Sequence, residues 1–172
     1  MIHESNKKEV AVADGKYKFE DIYHQPFVKS QILKKIRQAD ILILPYENFR
    51  GRTEYLFPED TYAFFDYLSE QLTETGLVIE ICSTDEEYKE LELHADVINI
   101  ADIILNYTIL PLVINLVSNY LYDKLKKYNR KNINTNINLT VEKNGRSKKI
   151  HYEGSIENFV EVMKSISKNM WK

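Results

Sequence analysis

Short runs that are apolar at every position alternate along this chain with longer stretches that are apolar at every third or fourth. Asp40-Ile41-Leu42-Ile43-Leu44-Pro45 and Leu77-Val78-Ile79-Glu80-Ile81-Cys82 belong to the first kind, the pattern of strands covered on both faces, and Pro45 stops the first by removing a ladder donor. Between them Pro58, Glu59 and Asp60 open a predicted helix with Tyr62, Phe65, Leu68 and Leu72 on its inner stripe and Gly76 closing it. Strand, helix and strand at this spacing predict two parallel neighbours joined by a right-handed crossover. Upstream, Glu9–Ala13, the turn dipeptide Asp14-Gly15 and Lys16–Phe19 read as a hairpin, and Pro26 begins a helix that puts Val28, Ile32, Leu33 and Ile36 on one face and ends near Gln38. After Cys82, Ser83 or Thr84 caps a helix whose first turn holds Asp85, Glu86 and Glu87.

From Val97 to Tyr122 the chain is apolar enough to be tested as a membrane span. Asp102 near a bilayer centre would cost about 2.5–3.5 kcal/mol, Asn99, Asn106, Asn115 and Asn119 add polar burden, and Pro111 interrupts the middle. Asp102 and Asn106 are four apart, as are Asn115, Asn119 and Asp123, so the expected structure is a pair of amphipathic helices meeting near Pro111. Asn129 to Asn136 reads as a linker. Beyond it Ile137, Leu139 and Val141 alternate with polar residues, Asn144-Gly145 marks a tight turn, and Ile150 and Tyr152 continue on the returning strand. Ser155 then caps a last helix with Phe159, Val162, Met163 and Ile166 on one face. The expected class is α/β: a small parallel β-α-β sheet with helices over 1–128, including the helical pair, then a hairpin and helix over 129–172 packed on the first part or on a partner.

Length and composition limit the alternatives. With 172 residues, 44% hydrophobic and only five glycines and four prolines, the chain is long enough for one core and excludes collagen-like and disordered classes. A single cysteine, Cys82, allows no internal disulfide and no cysteine zinc cage. MIHESNKKEV has no apolar core of a secretory signal, so the expected compartment is the cytoplasm. The net charge of −3 conceals a division: fourteen acids against the single Lys89 from Glu54 to Asp102, and nine bases against the single Glu142 from Lys124 to His151. A basic segment of this kind attracts phosphate or anionic lipid.

Candidate chemistry follows the rule that ligands of an open parallel sheet lie beyond the carboxyl ends of its strands. There the sequence places Tyr46-Glu47-Asn48-Phe49-Arg50-Gly51-Arg52-Thr53-Glu54-Tyr55. Arg50 and Arg52 offer forks for an anion, Tyr46 a stacking face, and Glu47 or Glu54 an acceptor or base for a sugar hydroxyl, with Asp85 arriving from the second strand. An ordinary loop whose charges pair with one another competes with that reading. Ile104, Leu110, Leu112, Leu116, Tyr120 and Leu121 form a candidate apolar docking face. Lys124, Lys126, Lys127, Arg130, Arg146, Lys148 and Lys149 form a candidate basic patch limited to sequence-independent phosphate or lipid contact. Glu87, Glu90 and His94 share a helical spacing, but a solvated acidic face accounts for them and no metal site or cofactor is expected. Gly-rich phosphate loops and nucleophile motifs are absent from the sequence.

The closing pattern runs from apolar helices ending in Tyr122-Asp123-Lys124-Leu125-Lys126-Lys127 through Asn138-Leu139-Thr140-Val141, a turn and Lys149-Ile150-His151-Tyr152-Glu153-Gly154 to a last helix. It resembles the small effector-associated constant component found beside bacterial conflict and defence modules, over the C-terminal half only. The resemblance implies an accessory or adaptor role, docking a protein partner or a second copy, rather than catalysis. A nucleotide- or nucleoside-binding or hydrolysing domain built on residues 46–55, and a peripheral membrane protein, are the alternative expectations.

Overall fold

The computed structural model describes residues 9–93, 96–128 and 133–172. Its class is the expected one, a mixed α/β fold. One sheet takes β1 (Glu9–Asp14), β2 (Ile41–Leu44), β4 (Ile79–Ile81), β6 (Val97–Asn99), β7 (Asp102–Asn106), β8 (Asn134–Lys143) and β9 (Arg146–Ser155), in the spatial order β1-β9-β8-β7-β2-β4 with β6 beside β8. A second ladder joins β3 (Phe57–Pro58) to β5 (Glu90–Leu91). The helices are α1 (Phe19–Tyr23), α2 (Ser30–Gln38), α3 (Thr61–Leu72), α4 (Leu110–Tyr128) and α5 (Ile156–Asn169).

The alternation of the strands decides what each sheet face meets. Ile41, Ile43, Ile103, Leu105, Ile137, Leu139, Val141, Ile150 and Tyr152 point to one side and are buried beneath α3, α4 and α5. Leu42, Leu44, Cys82 and Ile104 point to the other and are covered by Ile22 of α1, Ile32 and Ile36 of α2, and Phe27. This second cover extends from β4 across β2 to Ile104 on β7, and beyond it the Phe19 amide at the start of α1 donates to Glu142 of β8 at 3.0 Å. On β8 and β9 the same face carries Asn134, Asn136, Asn138, Thr140 and Glu142 beside Ser147, Lys149, His151, Glu153 and Ser155, all half-buried.

The parallel β2–β4 pair, α3 with Gly76 at its left-handed end (φ 77°), the β8–β9 hairpin about Asn144-Gly145, and α5 capped by Ser155 match the sequence expectations. Several elements differ. Lys16–Phe19 does not return against β1; β1 pairs antiparallel with β9, six residues long, and Gly15 donates to the Ser147 carbonyl at 2.9 Å. A long strand already in the sheet offers the edge more hydrogen bonds than four residues of a local partner. The helix expected after Cys82 is a set of turns: Thr84 accepts at its hydroxyl from the Glu87 amide and at its carbonyl from the Tyr88 amide, and the chain then enters β5. Glu90 accepts the amides of Asp60 and Tyr62 and so caps α3, while His94 lies outside the described residues. α2 begins at Ser30 rather than at Pro26, and the buried stripe of α3 is Thr61, Phe64, Leu68 and Leu72, with Tyr62 48% exposed.

The largest correction falls on the apolar middle. Its first half is not a helix: Val97–Asn99 and Asp102–Asn106 are strands beside β8, and Pro111 is the second residue of the single helix α4. The run Ile103-Ile104-Leu105 satisfies both covered faces of a sheet, which outweighs the four-residue spacing of Asp102 and Asn106. Among the described residues no helix is long and apolar enough to cross a membrane. The expected linker also shrinks: Asn134 to Asn136 are already in β8, and residues 129–132 lie outside the described ones. The hairpin is continuous with the first half's sheet through the β7–β8 ladder, so β1, β2, β4, β6 and β7 share one sheet with β8 and β9.

Candidate functional site

A row of polar side chains crosses the uncovered sheet face. Leu44 stands opposite Asp102, Asp102 is hydrogen-bonded to Asn138 on β8, Asn138 is paired with His151 on β9, and His151 with Ala11 on β1. Cross-strand neighbours place their Cβ atoms about 4.5–5.5 Å apart. The row is joined: Asn138 Nδ2 donates to Asp102 Oδ1 at 3.1 Å, and Asn138 Oδ1 lies 2.8 Å from His151 Nδ1. Because Asp102 offers acceptors, the Asn138 amide is oriented nitrogen-first toward it, and its oxygen takes the proton of His151 Nδ1. In the neutral ring Nε2 then carries the lone pair, 3.7 Å from Glu153 Oε2.

The chain leaving β2 walls one end of this row. Tyr46 pairs with Leu56, its amide donating to the Leu56 carbonyl at 2.7 Å, and stacks on Phe49 with ring centroids 5.4 Å apart. Glu47 accepts at Oε2 from the Tyr17 hydroxyl at 2.8 Å and faces Lys16 at 3.4 Å. Burial pushes the Asp102 carboxyl above its ordinary range; Lys149, the Asn138 hydrogen bond and His151 oppose the shift, and Glu47 adds to it. Burial also pushes the Tyr46 hydroxyl up, with Asp102 contributing. A desolvated carboxyl with named charge neighbours is the kind of perturbation that clusters at functional sites. Asn48 and Arg50 in the following loop hold left-handed backbones, both at φ 52°, a strained arrangement for residues with side chains.

The other residues singled out from the sequence do not gather here. Arg50 lies over the Phe49 ring at 5.0 Å and, like Arg52, is exposed; Glu54 is bound to Lys89 at 2.9 Å, and that ion pair holds its carboxyl below the usual range. Asp85 borders a separate cleft with Lys35, Tyr62, Glu80 and Tyr88. Beyond the carboxyl ends of β2 and β4 there is a cleft of about 390 Å³, but Glu54, Glu86 and Glu87 line it against Lys89 alone, a balance that repels phosphate. The Cys82 thiol on its floor is buried and pushed up, which leaves it a poor nucleophile.

Ile104, Leu110 and Leu121 are fully buried, Leu116 and Tyr120 are 7% and 6% exposed, and Leu112 packs half-buried against the same core. The fold itself covers this set. The basic residues divide. Lys124 pairs with Asp60 in a groove between α3 and α4, Lys126 and Lys127 are exposed on α4, and Arg130 lies outside the described residues. Lys148 faces the helix layer, donating to the Met170 carbonyl, whereas Lys149 faces the opposite side beside Asp102. Arg146 is exposed at the hairpin end.

The sequence alone does not single out Asn136; it brings in Asn138, His151 and Glu153 only within the effector-associated pattern, His151 also as a base of the hairpin beside Lys148 and Lys149, and it places Asp102 on a helical stripe. The available signal was asparagine at 134, 136 and 138, every second position of a strand, where asparagine is depleted. Compared with protein-family models, curated proteins and solved structures, the chain matches none.

Proposed function

We propose that the chain is a non-enzymatic accessory subunit of a bacterial multicomponent system and that it docks a partner protein on the open half of its sheet, around Asn138, Thr140, Lys149 and His151. The observation that carries the reading is the one-sided cover. Three helices bury one face along its length, the cover of the two short helices ends at β7 apart from the Phe19 amide at Glu142, and ten polar side chains of β8 and β9 are half-buried on the other. A sheet surface that is polar, pre-shaped and partly desolvated suits a protein interface, whose rim and hydrogen bonds need such groups. The effector-associated resemblance supplies the class of assembly. The test is tagged full-length chain captured from its own cells and cross-linked. Thr140→Arg and Lys149→Glu are expected to abolish the captured partner, while Glu161→Lys on α5 leaves it in place. Cross-links confined to the helix layer, or equal loss in all three variants, would overturn the reading.

A second reading rests on the Glu47–Asp102 proximity. Two carboxyls, one raised by burial, beside the Tyr17 and Tyr46 hydroxyls form an acid–base pair able to hold the hydroxyls of a nucleoside or sugar. Thermal shift against nucleosides and nucleotides distinguishes it: a midpoint raised by one ligand and unmoved in Glu47→Gln supports this alternative, and no shift at millimolar ligand removes it.

A further inference from the structure

The polar row runs on to the outer edge of the sheet. His151 and Glu153, two apart on β9, share one face, and on the edge strand β1 Glu9 stands directly opposite Glu153. One ligand atom from each of Glu9, His151 and Glu153 lies within 4.8 Å of the other two. Like charges directly opposite across an antiparallel pair repel. Among the described residues neither glutamate has a lysine or arginine ion pair; His151 is the only basic side chain paired with Glu153.

Two further observations point to a cation between them. The first is the ring geometry already described: Asn138, held by Asp102, takes the proton of His151 Nδ1 and leaves Nε2 toward Glu153, the arrangement by which metal-ligating imidazoles are oriented. The second lies on β8, where Asn136 is the direct cross-strand partner of Glu153. Its Oδ1 is shut off from solvent and meets no hydrogen-bond donor. Buried amide oxygens are almost always satisfied, and an orphan on the cross-strand partner of Glu153 is accounted for by a cation or a water held by one.

We infer that Glu9, His151 and Glu153, with Asn136 across the ladder from Glu153, form a binding site for a divalent first-row transition ion of the zinc or manganese class. An imidazole nitrogen among carboxylate oxygens selects these ions over magnesium and calcium, which take oxygen alone. The donors lie within 4.8 Å of one another, with His151 Nε2 and Glu153 Oε2 at 3.7 Å, and the bound ion requires them to close to the roughly 3.4 Å edge of a tetrahedral zinc site. Three protein ligands at a sheet edge leave a coordination position open. The site shares His151 and Asn138 with the proposed docking face but does not depend on a partner.

The experiment uses the full chain freed of metal by chelation, titrated calorimetrically with zinc and manganese chlorides, with cobalt chloride as an absorbance probe of the ligand set. One equivalent is expected to bind, at least about tenfold more weakly in Glu153→Gln, Glu9→Gln and His151→Gln, and about 10–100-fold more weakly in Asn138→Leu, which releases the ring. The near-isosteric glutamines preserve the fold, which circular dichroism verifies, and Glu161→Gln on α5 binds as the parent does. Absence of heat and of a cobalt spectrum at millimolar metal overturns the inference, as does binding that Glu153→Gln and His151→Gln leave intact. Partner capture with the Thr140 and Lys149 variants is read independently of either result.

Discussion

Leu121→Ala measures whether α4 is held by this chain's own core. Leu121 is fully buried within the cluster that α3, α4 and α5 build over the sheet. The substitution removes three carbons beyond Cβ, about 2.4 kcal/mol of transfer at roughly 0.8 kcal/mol each. A residual cavity brings the total to about 2.7–5 kcal/mol. Against an ordinary stability of about 5–15 kcal/mol this is a large fraction. Urea unfolding followed by Trp171, whose ring meets Tyr107 edge-on at 6.1 Å, reports the change. With a slope of about 2 kcal/mol/M the midpoint is expected to fall by about 1.4–2.5 M. Asn119→Ala, exposed on the same helix, should change stability by no more than about 0.5 kcal/mol. A Leu121→Ala midpoint no lower than that of Asn119→Ala, at unchanged slope, would refute the packing argument and return the apolar face of α4 to a partner or to lipid.

Other expectations follow from local geometry. A Cβ on Gly15 would stand 2.3 Å from Ser147 Oγ and 3.1 Å from the Ser147 carbonyl carbon, so Gly15→Ala should cost about 1–3 kcal/mol in urea unfolding, with part of the loss recovered by adding Ser147→Gly. Glu90→Ala removes the acceptor of the Asp60 and Tyr62 amides and should cost about 1 kcal/mol; an unchanged midpoint would show that water replaces the cap. Burial raises the Asp102 carboxyl in the folded chain, so the native state keeps a proton that the unfolded chain has released. Stability therefore falls as pH rises from the ordinary carboxylate value through the raised one. Asp102→Asn should remove that fall in urea curves taken from about pH 4 to 7, and parallel profiles would refute the assignment.

Local rules made the β2-α3-β4 unit, the β8–β9 hairpin and α5 legible, because each is specified by residues close in sequence: Gly76 at a left-handed helix end, Asn144-Gly145 in a two-residue turn, Ser155 beneath the Asn158 amide. Elements set by distant partners were not. β1 joins β9 across more than 130 residues, and the polar Asp102 spacing mimics a helix although Ile103-Ile104-Leu105 is sandwiched between two covered faces. The candidate site was half legible. Glu47 and Tyr46 lie where the carboxyl-end rule put them, but their neighbours Asp102, Asn138 and His151 come together only through sheet register.

The open face lowers the stability of the fold that carries it. β8 places asparagine at 134, 136 and 138, a residue poor in strands; Asp102 is desolvated; Asn136 Oδ1 is buried without a partner; and Glu9 opposes Glu153. The apolar face opposite tolerates this, since helices bury it along β2, β7, β8 and β9 and its packing does not involve the polar side chains. Replacing an orphaned buried acceptor removes a penalty of about 1–3 kcal/mol, and a β-branched side chain adds up to about 1 kcal/mol in a strand. Asn136→Thr is therefore expected to raise the urea midpoint by at least the equivalent of about 1 kcal/mol while weakening metal binding at the sheet edge. Greater stability with weaker binding is what a residue kept for a ligand should show. A variant less stable than the parent would mean that Asn136 already has a satisfied structural role, and the argument for a cation beside it would lose its second support.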